Sequence, residues 1–112
     1  MDIFAEPNVP HVSADDVKKA IDSGEQTILL DVRTPGEYER AHITGSINVP
    51  LDVVECDIRA AIPDKSAKVY VYCLSGSRSA HAVNRMIQLG YTNVFDMQYG
   101  LLGWRAKYFP LA

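Results

Sequence analysis

Two short segments, residues 27–32 and 68–72, most constrain the fold that this chain can adopt. The first is a nearly continuous apolar run, and the second is dense in β-branched and aromatic side chains. A strand buried on both faces of a parallel sheet has such an unbroken run, whereas a strand with one solvated face alternates. The two segments therefore predict strands at the centre of a sheet whose faces are both covered.

Helical patterns flank the first predicted strand. Ser13 and Asp16 have the spacing of a capping box, which predicts the start of a helix that can end at Gly24. Asp52 as N-cap, with Glu55 three residues later, predicts the start of a second helix. The chain thus alternates between strand-like and helix-like segments from its first third onward.

The second half of the chain continues this alternation. Shorter strands are predicted at 46–49 and 93–97, an amphipathic helix before residue 90, and a last helix whose inner face carries Leu101, Trp104 and Tyr108. About five strands joined by helical crossovers predict an α/β fold, because such connections are right-handed and return each strand parallel to the last. We expect an open, mainly parallel five-stranded sheet with helices on both faces.

The length of 112 residues predicts a single domain over residues 11–112. Residues 1–10 carry two prolines and no periodicity, so we expect an N-terminal arm or a short cover on the surface. No apolar run approaches the roughly 20 residues of a membrane span. The acidic N-terminal segment lacks the pattern of a signal peptide. These features predict a cytoplasmic protein without a membrane partner.

Charge and cysteine content narrow the function classes further. The net charge is −3 with scattered basic residues, which argues against nucleic acid as a partner and favours small molecules or proteins. Cys56 and Cys73 are too few for a disulfide framework, and neither they nor His11 and His81 have metal-ligand spacing. We therefore expect no metal site and no cofactor.

The strongest candidate for chemistry is the segment that begins at Cys73. This cysteine ends the strand 68–72, at the sheet edge where ligands of α/β proteins bind. The segment to the next helix can curl tightly and point several amides at one spot; it consists of Leu74, Ser75, Gly76, Ser77 and Arg78. Such amides, the helix dipole and Arg78 would stabilise a thiolate. The small polar run favours a reactive Cys73 over one that only fills the core.

Motifs along the chain resemble those of the single-domain rhodanese family. The resemblance covers roughly residues 11–109 and includes a Cys-x-x-Gly-x-Arg loop after a strand; its parts are Asp31-Val32-Arg33, Glu37-Tyr38, His42-Ile43, residues 45–50, residues 72–79, Gly100 and Trp104. It implies a sulfurtransferase in which Cys73 takes a sulfane sulfur from thiosulfate or another persulfide donor and holds it as a persulfide. The amides of residues 74–78 would cradle that persulfide. The acceptor would be a thiol such as thioredoxin or glutathione, or an unidentified protein.

Two other functions are compatible with these residues. One is a rhodanese-like binding or regulatory module in which sulfur transfer is vestigial. Leu74 leaves this possible, because many thiosulfate-using members of the family carry a basic residue directly after the cysteine. The other is a phosphatase or arsenate reductase, but those enzymes use Cys-x5-Arg, whereas Arg78 lies five positions after Cys73. The shorter loop suits a single sulfur better than a tetrahedral oxyanion.

Charged residues near the predicted site have supporting roles. Arg78 either binds the donor anion or locks the loop by pairing with a carboxylate such as Asp31. For Asp31 and Arg33 we expect structural roles, with Arg33 and Glu37 close enough in sequence for a local ion pair.

Two further residues, His42 and Cys56, have structural interpretations from the sequence. His42 is interpreted as a turn residue. Cys56 is expected to act as a small hydrophobe packed against Leu51, with a resolving thiol for Cys73 as the alternative.

Overall fold

The computed structural model describes residues 7–112 and contains a five-stranded parallel sheet. In spatial order the strands are β1, β5, β4, β2 and β3, and each neighbouring pair is parallel. This confirms the predicted fold class. The strands span His11–Val12 (β1), Ile28–Asp31 (β2), Ile47–Asn48 (β3), Val69–Tyr72 (β4) and Val94–Met97 (β5).

Helices cover both faces of the sheet, as the apolar central strands require. One buried cluster contains residues of α3 and α4, and the other contains residues of α1 and α5. The short helix α2 has no buried residue. The helices span Ala14–Asp22 (α1), Pro35–Arg40 (α2), Val54–Ala61 (α3), Ser77–Gln88 (α4) and Gly100–Ala106 (α5).

The central strand β4 divides its side chains between the two cores. Val69 and Val71 belong to the cluster under α3 and α4, whereas Tyr70 and Tyr72 belong to the cluster under α1 and α5. Side chains of a strand alternate between faces, so this division follows from the strand geometry. Cys73 continues the alternation and lies on the α3–α4 side.

Sequence reasoning missed β1, a two-residue strand that pairs with β5 through His11 and Asp96. Part of the expected N-terminal arm, residues 1–6, lies outside the described residues. Within the remainder of that arm, Val9 is buried in the core and the Pro10 carbonyl accepts a hydrogen bond from the Asp96 amide at 2.8 Å. Strand pairing therefore extends closer to the N-terminus than the prolines indicated.

The capping box of Ser13 and Asp16 is confirmed, but the cap predicted at Asp52 is wrong. A 3₁₀ turn, Leu51–Val53, precedes α3, and Val53 occupies the N-cap position without a side-chain hydrogen bond. Pro50 directs the chain into this tight turn, so Asp52 lies inside it rather than at a helix boundary.

The predicted inner face of the last helix is only partly correct. Leu101 and Trp104 are buried, and the Trp104 indole donates to the Pro110 carbonyl at 2.9 Å. Tyr108 is 95% exposed, because α5 ends at Ala106 and Tyr108 adopts a φ of 58°. No helix among residues 7–112 is both long and apolar enough to cross a membrane.

Candidate active site

Cys73 directly follows β4, at the carboxyl end of the central strand where its position was predicted. Its side chain is only 1% exposed, and the thiol is free rather than disulfide-bonded. The backbone then turns away from the sheet and enters α4 at Ser77. The sulfur therefore lies between the end of a parallel strand and the N-terminus of a helix, where backbone amides lack intrahelical acceptors.

Gly76 provides the amide that contacts the sulfur. Its N–H donates to Cys73 Sγ at 3.1 Å, and Gly76 is the N-cap residue of α4. Its φ of 117° is a backbone conformation that L side chains rarely adopt, so glycine permits the turn that aims this amide. Helix geometry also leaves the amides of Ser77 and Arg78 without an i−4 acceptor within α4. The predicted cradle is thus represented here by one amide at hydrogen-bond distance.

Helix α5 fixes the backbone on the other side of the cysteine. The Leu101 amide donates to the Cys73 carbonyl at 2.8 Å, and the Leu102 amide donates to the Leu74 carbonyl at 3.0 Å. Gly100 allows this approach, since a Cβ there would lie 2.3 Å from the Cys73 oxygen. The first turn of α5 therefore holds the peptide groups that carry the nucleophile candidate.

Arg78 pairs with a carboxylate, which was one of its two expected roles, but the partner is Glu37 and not Asp31. Its two terminal nitrogens donate to the two Glu37 oxygens at 2.7 and 3.0 Å. Glu37 also accepts from Thr34 in the capping box of α2. The Arg78 hydrogen bonds hold the pKa of Glu37 at about 2, although partial burial opposes this. This bidentate pair joins α2 to the first turn of α4, beside Cys73.

Asp31 and Arg33 form a second, buried ion pair, so the predicted pair of Arg33 with Glu37 is wrong. Arg33 Nη2 donates to Asp31 Oδ2 at 2.8 Å and to the Ala41 carbonyl at 2.5 Å. Burial is the largest single influence on Arg33 and opposes its charge, but the hydrogen bond to Asp31 and the attraction of nearby acidic groups together outweigh it, so the pKa of Arg33 is raised. The pair braces the end of β2 and does not contact the sulfur.

His42 and Tyr72 support the strand ends next to the site. The His42 ring stacks on Tyr38 with ring centroids 3.8 Å apart, and its Nδ1 lies 2.7 Å from the Tyr38 carbonyl. His42 lies just before the turn at residues 44–45 rather than in it, and its backbone pairs with that of Ala112. The Tyr72 hydroxyl accepts from the Ile43 amide at 3.1 Å, and burial raises the pKa of Tyr72 above its usual value.

Three residues that sequence reasoning did not assign to the site form a chain of contacts from the sulfur. Ser79 Oγ lies 3.5 Å from Cys73 Sγ and hydrogen-bonds to a carboxylate oxygen of Asp96. The other Asp96 oxygen lies 2.8 Å from Nδ1 of His11. No local motif could reveal this chain, because His11 and Asp96 are 85 positions apart and meet only through the pairing of β1 with β5.

A cleft of about 240 Å³ opens beside the loop; it is lined by His11, Ser75, Gly76, Asp96, Gln98 and Tyr99. Tyr99, which lines the cleft, is 70% exposed, and Leu74, the residue after Cys73, is 37% exposed. Within the described part of the chain, no lysine or arginine lines this cleft, and His11 is the one lining residue that can carry a positive charge.

Cys56 is exposed on α3, so its expected role as a buried small hydrophobe is wrong. The 3₁₀ turn changes the helix register and directs Cys56 away from the core, which takes Val54 and Ile58 instead. Its alternative role as a resolving thiol stays a prediction. Among the described residues, no group of three or more His, Cys, Asp or Glu side chains could hold a metal ion.

The fold and the site together define an α/β protein that presents a cysteine from a Cys-x-x-Gly-x-Arg loop at the end of its central strand. Residues 13–107 match the model of the rhodanese-like domain. The chain belongs to the rhodanese family.

Several known proteins are similar to this chain. A putative sulfur carrier protein, YrkF of Bacillus subtilis, is 36% identical over 89% of this chain and 53% of its own length. The thiosulfate sulfurtransferase PspE of Escherichia coli is 43% identical over 58% of this chain and 62% of its own length. The chain thus spans a little over half the length of these two curated relatives.

Other relatives show how widely the domain is used. A tRNA uridine(34) hydroxylase of Yersinia enterocolitica is 32% identical over 95% of this chain, which matches 31% of that protein. The solution structure of a rhodanese-like domain from Anabaena has a TM-score of 0.83 at 30% identity, and the match covers 92% of this chain and 78% of that one.

Proposed function

We propose that this protein is a rhodanese-type sulfurtransferase that carries a sulfane sulfur on Cys73. The observation that carries the proposal is the 3.1 Å contact between the Gly76 amide and Cys73 Sγ at the N-terminus of α4. A partial positive charge fixed at that point stabilises an anionic sulfur without reorganisation. The sulfurtransferase names of two relatives, PspE and a protein of Allochromatium vinosum, support the same chemistry.

The first half of the cycle loads the cysteine. The Cys73 thiolate attacks the outer sulfur of the donor and forms a new S–S bond with its electron pair. With thiosulfate as donor, the bond between the two donor sulfurs breaks, and sulfite leaves with the electron pair of that broken bond. The product is a Cys73 persulfide whose terminal sulfur carries the negative charge. Amides at the start of α4 then stabilise the charged sulfur.

The second half unloads the sulfur onto an acceptor. A thiolate of a small thiol such as glutathione, or of a protein such as thioredoxin, attacks the terminal sulfur of the persulfide. The Cys73–sulfur bond breaks, and its electron pair returns to Cys73 as thiolate. The cycle needs no metal and no organic cofactor, because both steps are displacements at sulfur.

The side chains around the loop bear on the choice of donor. Arg78 is engaged by Glu37 through two hydrogen bonds, and the exposed residue after the cysteine is Leu74. Little positive charge is therefore left to attract the dianion thiosulfate. We infer that a low-molecular-weight or protein persulfide is a better donor for this site than thiosulfate.

The mass of the intact protein tests the proposal directly. Brief incubation with thiosulfate or polysulfide should add about 32 Da, reversed by a reductant. Cys73→Ala should show no gain, whereas Cys56→Ser should gain as the wild type does, because Cys56 is exposed on α3 and outside the loop. A gain that depends on Cys56, or none with either donor, would overturn the proposal.

The second candidate function is a binding or regulatory module. Cys73 is 1% exposed while Leu74 beside it is 37% exposed, so the loop offers an apolar contact more openly than a thiol. The hydroxylase relative also carries a similar domain within a much longer protein. This function predicts no persulfide on Cys73 with either donor. Phosphatase chemistry is less well supported, because the loop arginine Arg78 is occupied by Glu37.

A further inference from the structure

The contacts of Ser79, Asp96 and His11 connect the buried sulfur with solvent. Cys73 and Ser79 are 1% and 0% exposed, and Asp96 is 2% exposed. The His11 side chain at the far end is 36% exposed. A buried carboxylate is costly unless hydrogen bonds compensate it, so its place between a thiol and a histidine requires an explanation.

The hydroxyl of Ser79 couples the two ends, because its single hydrogen can go to the Asp96 carboxylate, to the Gly76 carbonyl at 3.0 Å or to Cys73 Sγ. When that hydrogen is donated to the Asp96 carboxylate, the Ser79 oxygen offers a lone pair to Cys73, which suits a protonated thiol. When Cys73 carries a negative charge, the hydroxyl is better donated to sulfur, and the Asp96 carboxylate then loses that donor. The charge at Cys73 and the proton content of the Asp96–His11 pair therefore depend on each other.

We propose that Ser79, Asp96 and His11 form a proton relay that serves Cys73. The thiol proton passes to Ser79 Oγ while the original Ser79 hydroxyl proton passes to Asp96. The electron pair of the S–H bond stays on sulfur as the thiolate. The Asp96–His11 pair holds the added proton as carboxylic acid or imidazolium and exchanges it with solvent at the exposed ring. Ser79 and Asp96 are thus positioning residues for the proposed sulfur transfer.

Titratable groups approach Asp96 from more than one element. Among the described residues, His11 of β1 contacts Asp96 directly, and Cys73 after β4 is linked to it through Ser79. Tyr99, from the segment before α5, lines the same cleft. From α4 the facing group is the neutral hydroxyl of Ser79, since the adjacent Arg78 is held by Glu37.

The test follows the His11 ring by NMR as pH is varied, in a Cys56→Ser background. Persulfidated Cys73, an anion, is compared with Cys73→Ser, which is neutral. The anion should move the midpoint of the His11 titration upward by roughly 0.3 to 1 pH unit, since linkage is reciprocal. His81, exposed on α4 and outside the relay, is the internal control and should not move.

Removal of the Ser79 hydroxyl distinguishes coupling through the relay from direct electrostatic attraction between the anion at Cys73 and the His11 ring. In Ser79→Ala, the shift of the His11 titration midpoint between the anionic and neutral forms should fall below half of the shift seen with Ser79 in place. Ser79→Thr should restore the full shift. If Ser79→Ala does not fold, Asp96→Asn serves in its place with the same expected loss. The relay would be overturned by an equal His11 shift with and without the Ser79 hydroxyl. It would also be overturned if the Cys56→Ser protein with Ser79 intact showed no shift.

This proposal rests on the proposed function only for its use in sulfur transfer, and the two can fail separately. If no persulfide forms, hydrogen peroxide is used to oxidise Cys73 to the sulfinate, which places an anion there without a sulfur donor. A His11 shift with the sulfinate then supports the relay while the missing mass gain counts against sulfur transfer. No shift with either anion overturns the relay even where the persulfide forms.

Discussion

Gly100 lies against the carbonyl of Cys73 so closely that a Cβ at Gly100 would stand 2.3 Å from that oxygen. The contact lets the first turn of α5 donate its Leu101 amide to the same oxygen at 2.8 Å. The backbone beside the sulfur is thus positioned from two sides, by α5 and by the Gly76 amide at the start of α4. The predictions below test which of these restraints matter for stability and which for chemistry.

Gly100→Ala should displace the Cys73 backbone and destabilise the fold. Both the clash and the φ of 51° oppose a side chain, so we expect a loss of about 2 kcal/mol or more in unfolding free energy. Urea unfolding measures it. The matched control is Gly36→Ala in α2, where an added Cβ would meet nothing within 4 Å. This substitution should leave the unfolding free energy unchanged or raise it slightly. Equal effects at both positions would contradict the close approach.

The ion pair of Glu37 with Arg78 should make stability depend on pH in the acidic range. The pKa of Glu37 is about 2 in the folded protein against 4.5 as its ordinary value, so folding favours the ionised form. Both side chains of the pair are partly exposed, so solvent screening holds its contribution to about 1 kcal/mol; it should be complete above pH 5 and lost as the pH falls from 4.5 through 2.

Thermal unfolding of wild type and Glu37→Gln across this range measures the contribution. The two Tm values should converge near pH 2 and separate to a constant difference above pH 5. A difference that stays constant down to the lowest pH would show that the carboxylate charge is not its source.

Arg78→Lys should weaken the loop even though the charge is kept. A lysine cannot make the two parallel hydrogen bonds that now hold Arg78 to Glu37, so the first turn of α4 loses its link to α2. We expect a fall in the rate of persulfide formation of about tenfold, equivalent to about 1.4 kcal/mol. Arg85→Lys is the control: Arg85 lies on α4 like Arg78 but pairs with the exposed Glu55 of α3, so its replacement should leave the rate unchanged.

Leu74→Lys should improve the use of thiosulfate. A positive charge at this exposed position attracts the dianion, so kcat/KM should rise several-fold at low ionic strength, and the gain should shrink as salt is added. Ile87→Lys, at a position 43% exposed on α4, introduces the same charge and should have no such effect. A rise that is insensitive to salt would argue against electrostatic attraction as the reason.

Much of the fold could be predicted from local patterns. Residues 27–32 and 68–72 indicated β2 and β4, because only strands buried on both faces are so apolar, and Ser13 with Asp16 indicated the start of α1. Strand β1 could not be predicted, since two residues carry no periodicity and are held by pairing with β5. Tyr108 fits a helical spacing but lies beyond the last helix, where the spacing no longer applies.

The sequence by itself determined the α/β fold and the position of Cys73 at the head of the Leu74–Arg78 loop, because these depend on residues close together along the chain. Tertiary structure alone decided the ion-pair partners, placing Arg33 with Asp31 and Arg78 with Glu37. It also brought His11 and Asp96 together across parallel strands. Such pairings depend on strand order and helix orientation, which set distances between side chains that the spacing of residues along the chain does not encode.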